Sequence, residues 1–546
     1  MLSQGVPLEE ALDRCGGHHR FQFAAMAKLC LSCLHASMFW TIFNASLQMP
    51  TLKCQSSIDD IYECTEELAC GGKYLYEVHD HFSVVAQWRM FCSKKYLAKA
   101  IYAAVVCGSL LSLLLVGWLG DNFGRLKTLR YILVLSVLGQ FLTLFAATPV
   151  YYAIVNFFVS LTLAPIVIMP LVWLCEMTDN PSRGLFLSCA VMCLILGQIL
   201  IPICRLFVGS WKQLVIADIS VGLTAFLLTY TLPESFRYFA GVKRRFIKAR
   251  TVLNRIAEIN GQLAFEEKLQ GEEQNEYNAT GGLEDHHDSR SLASPSSQEI
   301  SRSVIIAPPG EYMGYAEDMD EREKELAHLQ APKVFDLCRL RSLRISLLVG
   351  LSLSVGQGIL TALMAAYPST NTFASSGAGL LGLLIASILT IFLGRKVAAW
   401  VGNFSIATLA LTGACFISQL NMREEGSWIL SCSWHCSALL WVLIICESCS
   451  TSLRCHMIAI NLFGVVMTAM VAYNFIILDP KAVFAGGAIL LTSLALLKMR
   501  TMKNRPLLDS PDDSKVLPSQ FITPISAKPG NASIEMAAQL NSSKEN

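Results

Sequence analysis

Long apolar runs separated by short polar breaks dominate the 546 residues. A helix needs roughly 20 mostly apolar residues to cross the hydrocarbon of a bilayer. Twelve runs meet that length: 21–46, 97–118, 129–147, 151–173, 184–206, 212–232, 343–365, 374–393, 397–418, 432–450, 455–478 and 482–498. The pattern predicts an all-α membrane protein with twelve transmembrane helices in two six-helix halves, 21–232 and 343–498. Polar sequence lies outside them: an amino terminus 1–20, a loop 47–96, a connection 233–342 and a tail 499–546. Within the connection, residues 262–331 hold Glu284-Asp-His-His-Asp288 and Ser289–Ser303 and few apolar residues. Such a stretch buries too little apolar surface to offset its ordering entropy and reads as a disordered linker. The tail reads the same way.

Composition agrees. Hydrophobic residues make up 53% and charged residues 16%, and the mean hydropathy is +0.46. Soluble domains carry about 25% charged residues. The net charge of +1 gives no reason to expect a nucleic-acid partner. The placement of charge matters more. Arg125, Lys127, Arg130, Arg183, Lys243, Arg244, Arg245, Arg395, Lys396, Arg454, Arg500 and Arg505 all fall on one side of the twelve-span topology or in the tail. By the positive-inside rule that side is cytosolic, and both termini share it. No cleavable signal peptide is visible, since the first 20 residues are polar. The loop 47–96 then faces an oxidising compartment. Its Cys54, Cys64, Cys70 and Cys92 predict two disulfides, with three pairings open. Most of the other cysteines read as small packing residues.

A short repeat links the halves. Gly124-Arg125 is followed 51 residues on by Cys175-Glu176, and seven after that Glu by Arg183. Gly394-Arg395 is followed 52 residues on by Cys446-Glu447, and seven later by Arg454. The copies are offset by about 270 residues and fall after matching spans, as parallel repeats do. Ile391 stands where the first copy has Asp121. Placed at the cytosolic helix ends, these charges predict a latch. Arg125 pairs with Glu176, Arg395 pairs with Glu447, and Asp121 faces the positive amino-terminal end of span 11 near Cys455. The alternative is that they only fix topology.

The stretch Gly117-Trp-Leu-Gly-Asp121-Asn-Phe-Gly124-Arg125-Leu-Lys127 resembles the signature between the second and third helices of major facilitator superfamily transporters. It departs from the fullest form at Asn122 and Leu126. Several further stretches resemble the organic cation/anion/carnitine (solute carrier 22-like) family. They are Cys15-Gly-Gly-His-His-Arg-Phe-Gln22, Gln87-Trp-Arg-Met-Phe-Cys92, Trp211-Lys212, Pro233-Glu234-Ser-Phe-Arg237 and Val334-Phe-Asp-Leu337. The likeness is close in the first half and thin in the second. Glu447 is followed by Ser-Cys-Ser-Thr rather than the family's Leu-Tyr-Pro-Thr, and the last span ends in Leu497-Lys-Met-Arg500 rather than Pro-Glu-Thr. Cation carriers place an acid in span 11 and anion carriers a base; here Val466 stands there, and Met457–Leu478 holds no charged residue.

The resemblance implies the major facilitator fold and a substrate cavity at the midplane. Candidate lining residues are Lys28, His35, Phe39, Asn156, Gln198, Gln357 and Asn461. Lys28, His35 and Phe39 are spaced to share one face of span 1. Their alternative is bland: Lys28 snorkels to the interface, and His35 makes one interhelical hydrogen bond. Asp218, on the peripheral span 6, reads as a structural partner. The gating set is Gly117, Asp121, Gly124, Arg125, Glu176, Arg183, Glu234, Arg237, Arg395, Glu447 and Arg454. No nucleotide loop, zinc spacing or nucleophile motif is present, so no enzyme activity, cofactor or metal is expected. The expected function is transport of small organic ions or other organic solutes through a plasma membrane by alternating access. The alternative is a transporter-derived receptor or scaffold that moves nothing. The expected partners are a small organic solute and the lipid bilayer, and the sequence leaves the oligomeric state open.

Overall fold

Helix α1 (Leu8–Arg14) precedes the first span, α2 (Arg20–Ser46), whose start is fixed where Gln22 Oε1 accepts the backbone N–H of His19 at 3.2 Å. The computed structural model describes residues 5–50, 52–57, 60–64, 70, 75–78, 82–270, 272, 341–366, 372–393, 401 and 423–478. After α2 come three short strands, β1 (Leu52–Ser57), β2 (Asp60–Cys64) and β3 (Leu75–Val78). They form one antiparallel sheet in the order β2-β1-β3. The hydrophobic pattern did not anticipate this sheet, because its strands are short and mixed in polarity. Cys70 is bonded to Cys92, and Cys54 is also disulfide-bonded. The side chain of Cys64 lies outside the described residues.

The first bundle continues with α3 (Lys95–Phe123), α4 (Arg125–Thr143), α5 (Pro149–Ser160), α6 (Leu163–Met177), α7 (Arg183–Arg205) and α8 (Trp211–Thr229). Helices α5 and α6 together cover the fourth expected span. Pro165 explains the break, for it has no N–H to give the carbonyl of Leu161 and its ring crowds that carbonyl. The amphipathic α9 (Phe246–Asn260) follows outside the spans and ends at Gly261, which has a left-handed φ of +70°. The second bundle holds α10 (Arg341–Ala366), α11 (Thr372–Leu393), α12 (Arg423–Ser448) and α13 (Arg454–Leu478).

Among the described residues, ten stretches are long and apolar enough to span a membrane. They match ten of the twelve expected spans. Those at 397–418 and 482–498 lie outside the described residues, apart from Val401. So do the tail and nearly all of the 262–331 linker. This is a multi-pass membrane protein, and its outer surface carries the expected apolar side chains, among them Leu114, Tyr131, Leu135, Phe158 and Leu227. Within the first bundle, α2 packs on α7, α8 and α6; within the second, α10 packs on α13 and α12. The bundles meet where α3 lies against α13 and α7 against α11. One end of this interface carries the arginines, here called the basic end. The other end carries the sheet and the disulfides.

Candidate functional site

The basic end is built on the turn from α3 to α4. Gly124 makes that turn with φ +104°, a conformation that side-chain-bearing residues rarely adopt. A Cβ there would meet Glu234 Oε2 at 2.7 Å. The Glu234 carboxylate needs that space. It accepts the backbone N–H groups of Arg125, Leu126 and Lys127 at 3.0–3.3 Å and so caps α4. One turn earlier, Asp121 Oδ2 accepts the backbone N–H of His456 at 3.3 Å and lies 2.5 Å from His456 Nδ1. The carboxylate therefore sits at the amino-terminal end of α13, where the helix dipole favours it. Gly117 lets α13 come this close, for a Cβ there would stand 2.9 Å from the His456 ring.

Four arginines occupy the interface, and Arg125, Arg183, Arg237 and Arg454 are all fully buried. Four acids, Glu9, Asp121, Glu176 and Glu447, balance them. A buried charge is tolerated only when paired and hydrogen-bonded. Glu176 Oε1 accepts from Arg125 Nε at 3.2 Å, from Arg125 Nη2 at 3.0 Å and from Arg454 Nη1 at 2.9 Å. Arg125 also donates to the carbonyls of Gly120 at 3.1 Å and Thr451 at 2.5 Å, and stands 3.5 Å from Asp121. Arg183 donates to the carbonyls of Cys175 and Thr178, and its Nη1 lies 3.8 Å from Glu447.

The repeat acquires a geometry here. In each copy the arginine seven residues after the glutamate reaches the glutamate of the other bundle: Arg454 to Glu176, and Arg183 to Glu447. Beside them the Cys175 thiol donates to the carbonyl of Cys446 at 3.7 Å, joining the paired Cys-Glu motifs across the interface. Sequence spacing identified these residues but not the exchange. A repeat says which positions correspond, not which copy each faces. Arg395 lies outside the described residues.

The amino-terminal segment adds an acid that sequence reading missed. Glu9 of α1 pairs with Arg183 at 2.9 Å through Oε1 and with Arg237 through Oε2. Arg237 also donates to the carbonyl of Glu176 at 3.0 Å. The segment is held further by Asn260, which donates to the carbonyls of Cys15 and Gly16 and accepts from Phe21. Burial pushes the Glu9 carboxyl up, but the Arg237 and Arg183 guanidiniums outweigh it and hold it below the ordinary value. A lowered carboxyl stabilises docking above its unfolded value of about 4.3 and loses that stabilisation as pH falls through the folded value. Docking of residues 5–19 is therefore expected to hold at neutral pH. Glu9→Gln should lower their amide-exchange protection about 10- to 100-fold, the worth of a charged hydrogen bond. Equal protection in the variant would contradict this placement. The only sequence signal for Glu9 is one of two adjacent acids in an apolar-faced turn, too weak to single out.

The cavity candidates take up the following places. Lys28, His35 and Phe39 do share a face, but that face looks into the first bundle. Lys28 Nζ donates to Thr231 Oγ1 at 2.7 Å, near the basic end of α8. His35 lies 2.9 Å from Asp218 of α8 and 3.0 Å from Ser136 of α4. The reason is Asp218: the acid on α8 draws the polar face of α2 toward itself. Asn156 bonds the carbonyl of Tyr152 within its own helix. Asn461 accepts from Ser354 at 3.2 Å and fastens α13 to α10. Gln198 on α7 is half-buried. Gln357 on α10 donates to the carbonyl of Trp434 on α12 at 3.3 Å.

A family model described as "Sugar (and other) transporter" matches residues 64–307. Organic anion transporter 3 of Sus scrofa is 26% identical over 204 residues, 37% of this chain and 37% of that protein. The beta-alanine transporter of Drosophila melanogaster is 27% identical over 214 residues, 38% of this chain and 35% of that protein. The chain thus matches little more than a third of the length of these curated relatives. Among solved structures, the proton:xylose symporter XylE bound to 6-bromo-6-deoxy-D-glucose, a major facilitator superfamily protein, superposes with a TM-score of 0.58. It is 14% identical, with 90% of this chain and 98% of that chain covered. A double-tryptophan XylE mutant gives 0.59 at 14% identity, with 91% and 98% covered. At such identity the likeness speaks for the fold alone.

Proposed function

We propose that this chain, which has the major facilitator fold and is similar over little more than a third of its length to an organic anion transporter, carries small organic solutes across a membrane by alternating access. The supporting observation is the exchanged pairing of Arg454 with Glu176 and of Arg183 with Glu447. These contacts exist only while the bundles are closed at the basic end. They bias a two-state equilibrium toward the form open at the opposite face. The positive-inside rule makes the basic end cytosolic, with both termini inside. The disulfide-bonded sheet is then extracellular, which fits the plasma membrane. The two six-helix halves, 21–232 and 343–498, rock about the solute site, as parallel repeats of this fold do. No catalytic step is assigned to any residue. Gln357, at the α10–α12 contact with its Oε1 unpartnered among the described residues, is the retained candidate for a solute contact.

A receptor or scaffold derived from a carrier is the second reading. One observation favours it: past His456, α13 offers no charged side chain to an ionic solute. Uptake by cells expressing the chain separates the two. Labelled organic anions, cations and zwitterions are supplied, with Arg454→Ala as the control. The carrier reading expects saturable uptake of at least one class, lost in the variant. Absence of uptake for every class, with the chain at the cell surface, would favour the receptor or scaffold.

A further inference from the structure

The pair His35–Asp218 lies in the depth of the first bundle, away from the interface between bundles. His35 is fully buried and Asp218 is 1% exposed. Imidazole Nδ1 is 2.9 Å from Asp218 Oδ1, and Nε2 is 3.0 Å from Ser136 Oγ. Three helices, α2, α8 and α4, therefore meet on one ring. Gly222 of α8 makes the room, since a Cβ there would stand 2.7 Å from the imidazole.

The pair is not fully satisfied. Among the described residues, Asp218 Oδ2 has no hydrogen-bond partner, and neither amide atom of Gln140 has one, although that side chain is 2% exposed. Both residues line a small cavity whose other polar walls are Thr143, Tyr152 and Asn156. Its volume is about 10 Å³. That is room for about one water, and a buried water needs two to four polar partners. Four polar side chains besides Asp218 surround this space. The Tyr152 hydroxyl stands 3.0 Å from that of Ser46, the last residue of α2 at the disulfide-bearing end. A line of polar groups thus runs from that end of the bundle to Asp218.

Charge balance gives the pair its role. On α2 the nearest other charge is Lys28, which points toward Thr231. Helix α4 faces the pair with Ser136 and Gln140, and α5 with Tyr152 and Asn156. Helix α8 offers Asp218 itself; its other charged residue, Lys212, sits in the first turn. The charged residues of α7 are Arg183, at the basic end, and Arg205, which donates to Gln48 at the other. Among the described residues, Tyr152 is then the one further titratable group lining the cavity. A lone carboxylate in hydrocarbon is costly. With one proton the pair is imidazolium and carboxylate, net neutral. Without it, neutral His35 leaves the Asp218 charge unbalanced.

We propose that His35 and Asp218, opened to the disulfide-bearing face through the Gln140 cavity, form a proton-binding site inside the first bundle. Neutral His35 plus ionised Asp218 takes up one proton to give the neutral pair. The proton arrives by way of the water-sized cavity on Asp218 Oδ2. The proposal does not depend on which solute is carried.

The test is the melting temperature of the purified full chain in lipid nanodiscs, followed between about pH 5 and pH 8, where histidine titrates. Losing the proton strands a buried charge, so stability should be highest at the acid end and fall as pH rises. The double variant His35→Gln/Asp218→Asn keeps the shape and removes both titrating groups. It should lose this pH-dependent component, a difference of several degrees across the range. His35→Gln alone, which leaves the carboxylate bare, should be less stable than the double variant at the alkaline end of the range. The wild-type slope persisting unchanged in the double variant would overturn the proposal. So would a single variant as stable as the double at the alkaline end, because the pair would then hold no charge.

Discussion

Glu176→Gln is expected to open the basic end. The carboxylate is the shared acceptor of Arg125 and Arg454, one from each bundle, and it is fully buried. Glutamine keeps the shape and one acceptor but removes the charge. Two buried guanidiniums then face each other without the carboxylate that joined them, and Asp121 stands 3.5 Å from Arg125. Removing one partner of a buried ion pair costs about 3–5 kcal/mol. The arginines regain water only if the bundles part at this end. Since about 1.4 kcal/mol is a factor of ten, the closed form should lose more than a hundredfold in relative population. Native cysteines report this. Cys175, Cys446, Cys449 and Cys455 are all buried at the interface. In inside-out vesicles their alkylation, resolved by peptide mass spectrometry, should rise steeply in the variant. Unchanged alkylation in a folded variant would mean that the cluster only fixes topology.

Gly117→Leu should give the second-largest effect, through sterics rather than charge. A Cβ at position 117 would stand 3.0 Å from the backbone Cα of His456, as well as 2.9 Å from its ring. A rotamer change cannot relieve a clash with backbone, so α3 and α13 must separate. Overpacking of this kind costs about 1–3 kcal/mol. The separation also draws Asp121 off the amino-terminal end of α13. Alkylation of Cys455 should rise accordingly. Gly184→Ala is the matched control. Among the described residues, a Cβ there meets only Thr390, at 3.7 Å, so this variant should leave both stability and labelling nearly unchanged.

The spans were legible because each needs an unbroken apolar run, and the bilayer allows few other solutions. The basic end was legible for a related reason: charges are rare in such a chain, so the repeated Gly-Arg and Glu-x6-Arg stand out. The pairing of Arg125 with Glu176 and the position of Asp121 at the start of α13 were stated from sequence, and the structure has both contacts. The exchange between copies was not legible, since periodicity carries no information on partner choice. Glu9 was missed because its arginines lie more than 170 residues away. Spacing leaves the direction of His35 open between a cavity and an interhelical hydrogen bond, because a helical face read from spacing has no absolute orientation. The neighbour supplies it: Asp218 on α8, which the sequence reads as a structural partner, lies 2.9 Å from the ring.

If the exchanged arginine–glutamate pairs hold the basic end closed, breaking them must let the bundles part there. The most direct measurement is the distance between the bundles there. Spin labels on non-natural residues at Lys127 and Arg344, both exposed and in different bundles, give it by pulsed electron resonance in nanodiscs. The wild type should show one dominant short distance. Glu176→Gln should add a longer population that becomes the major one. Identical distributions in the two proteins would contradict the latch.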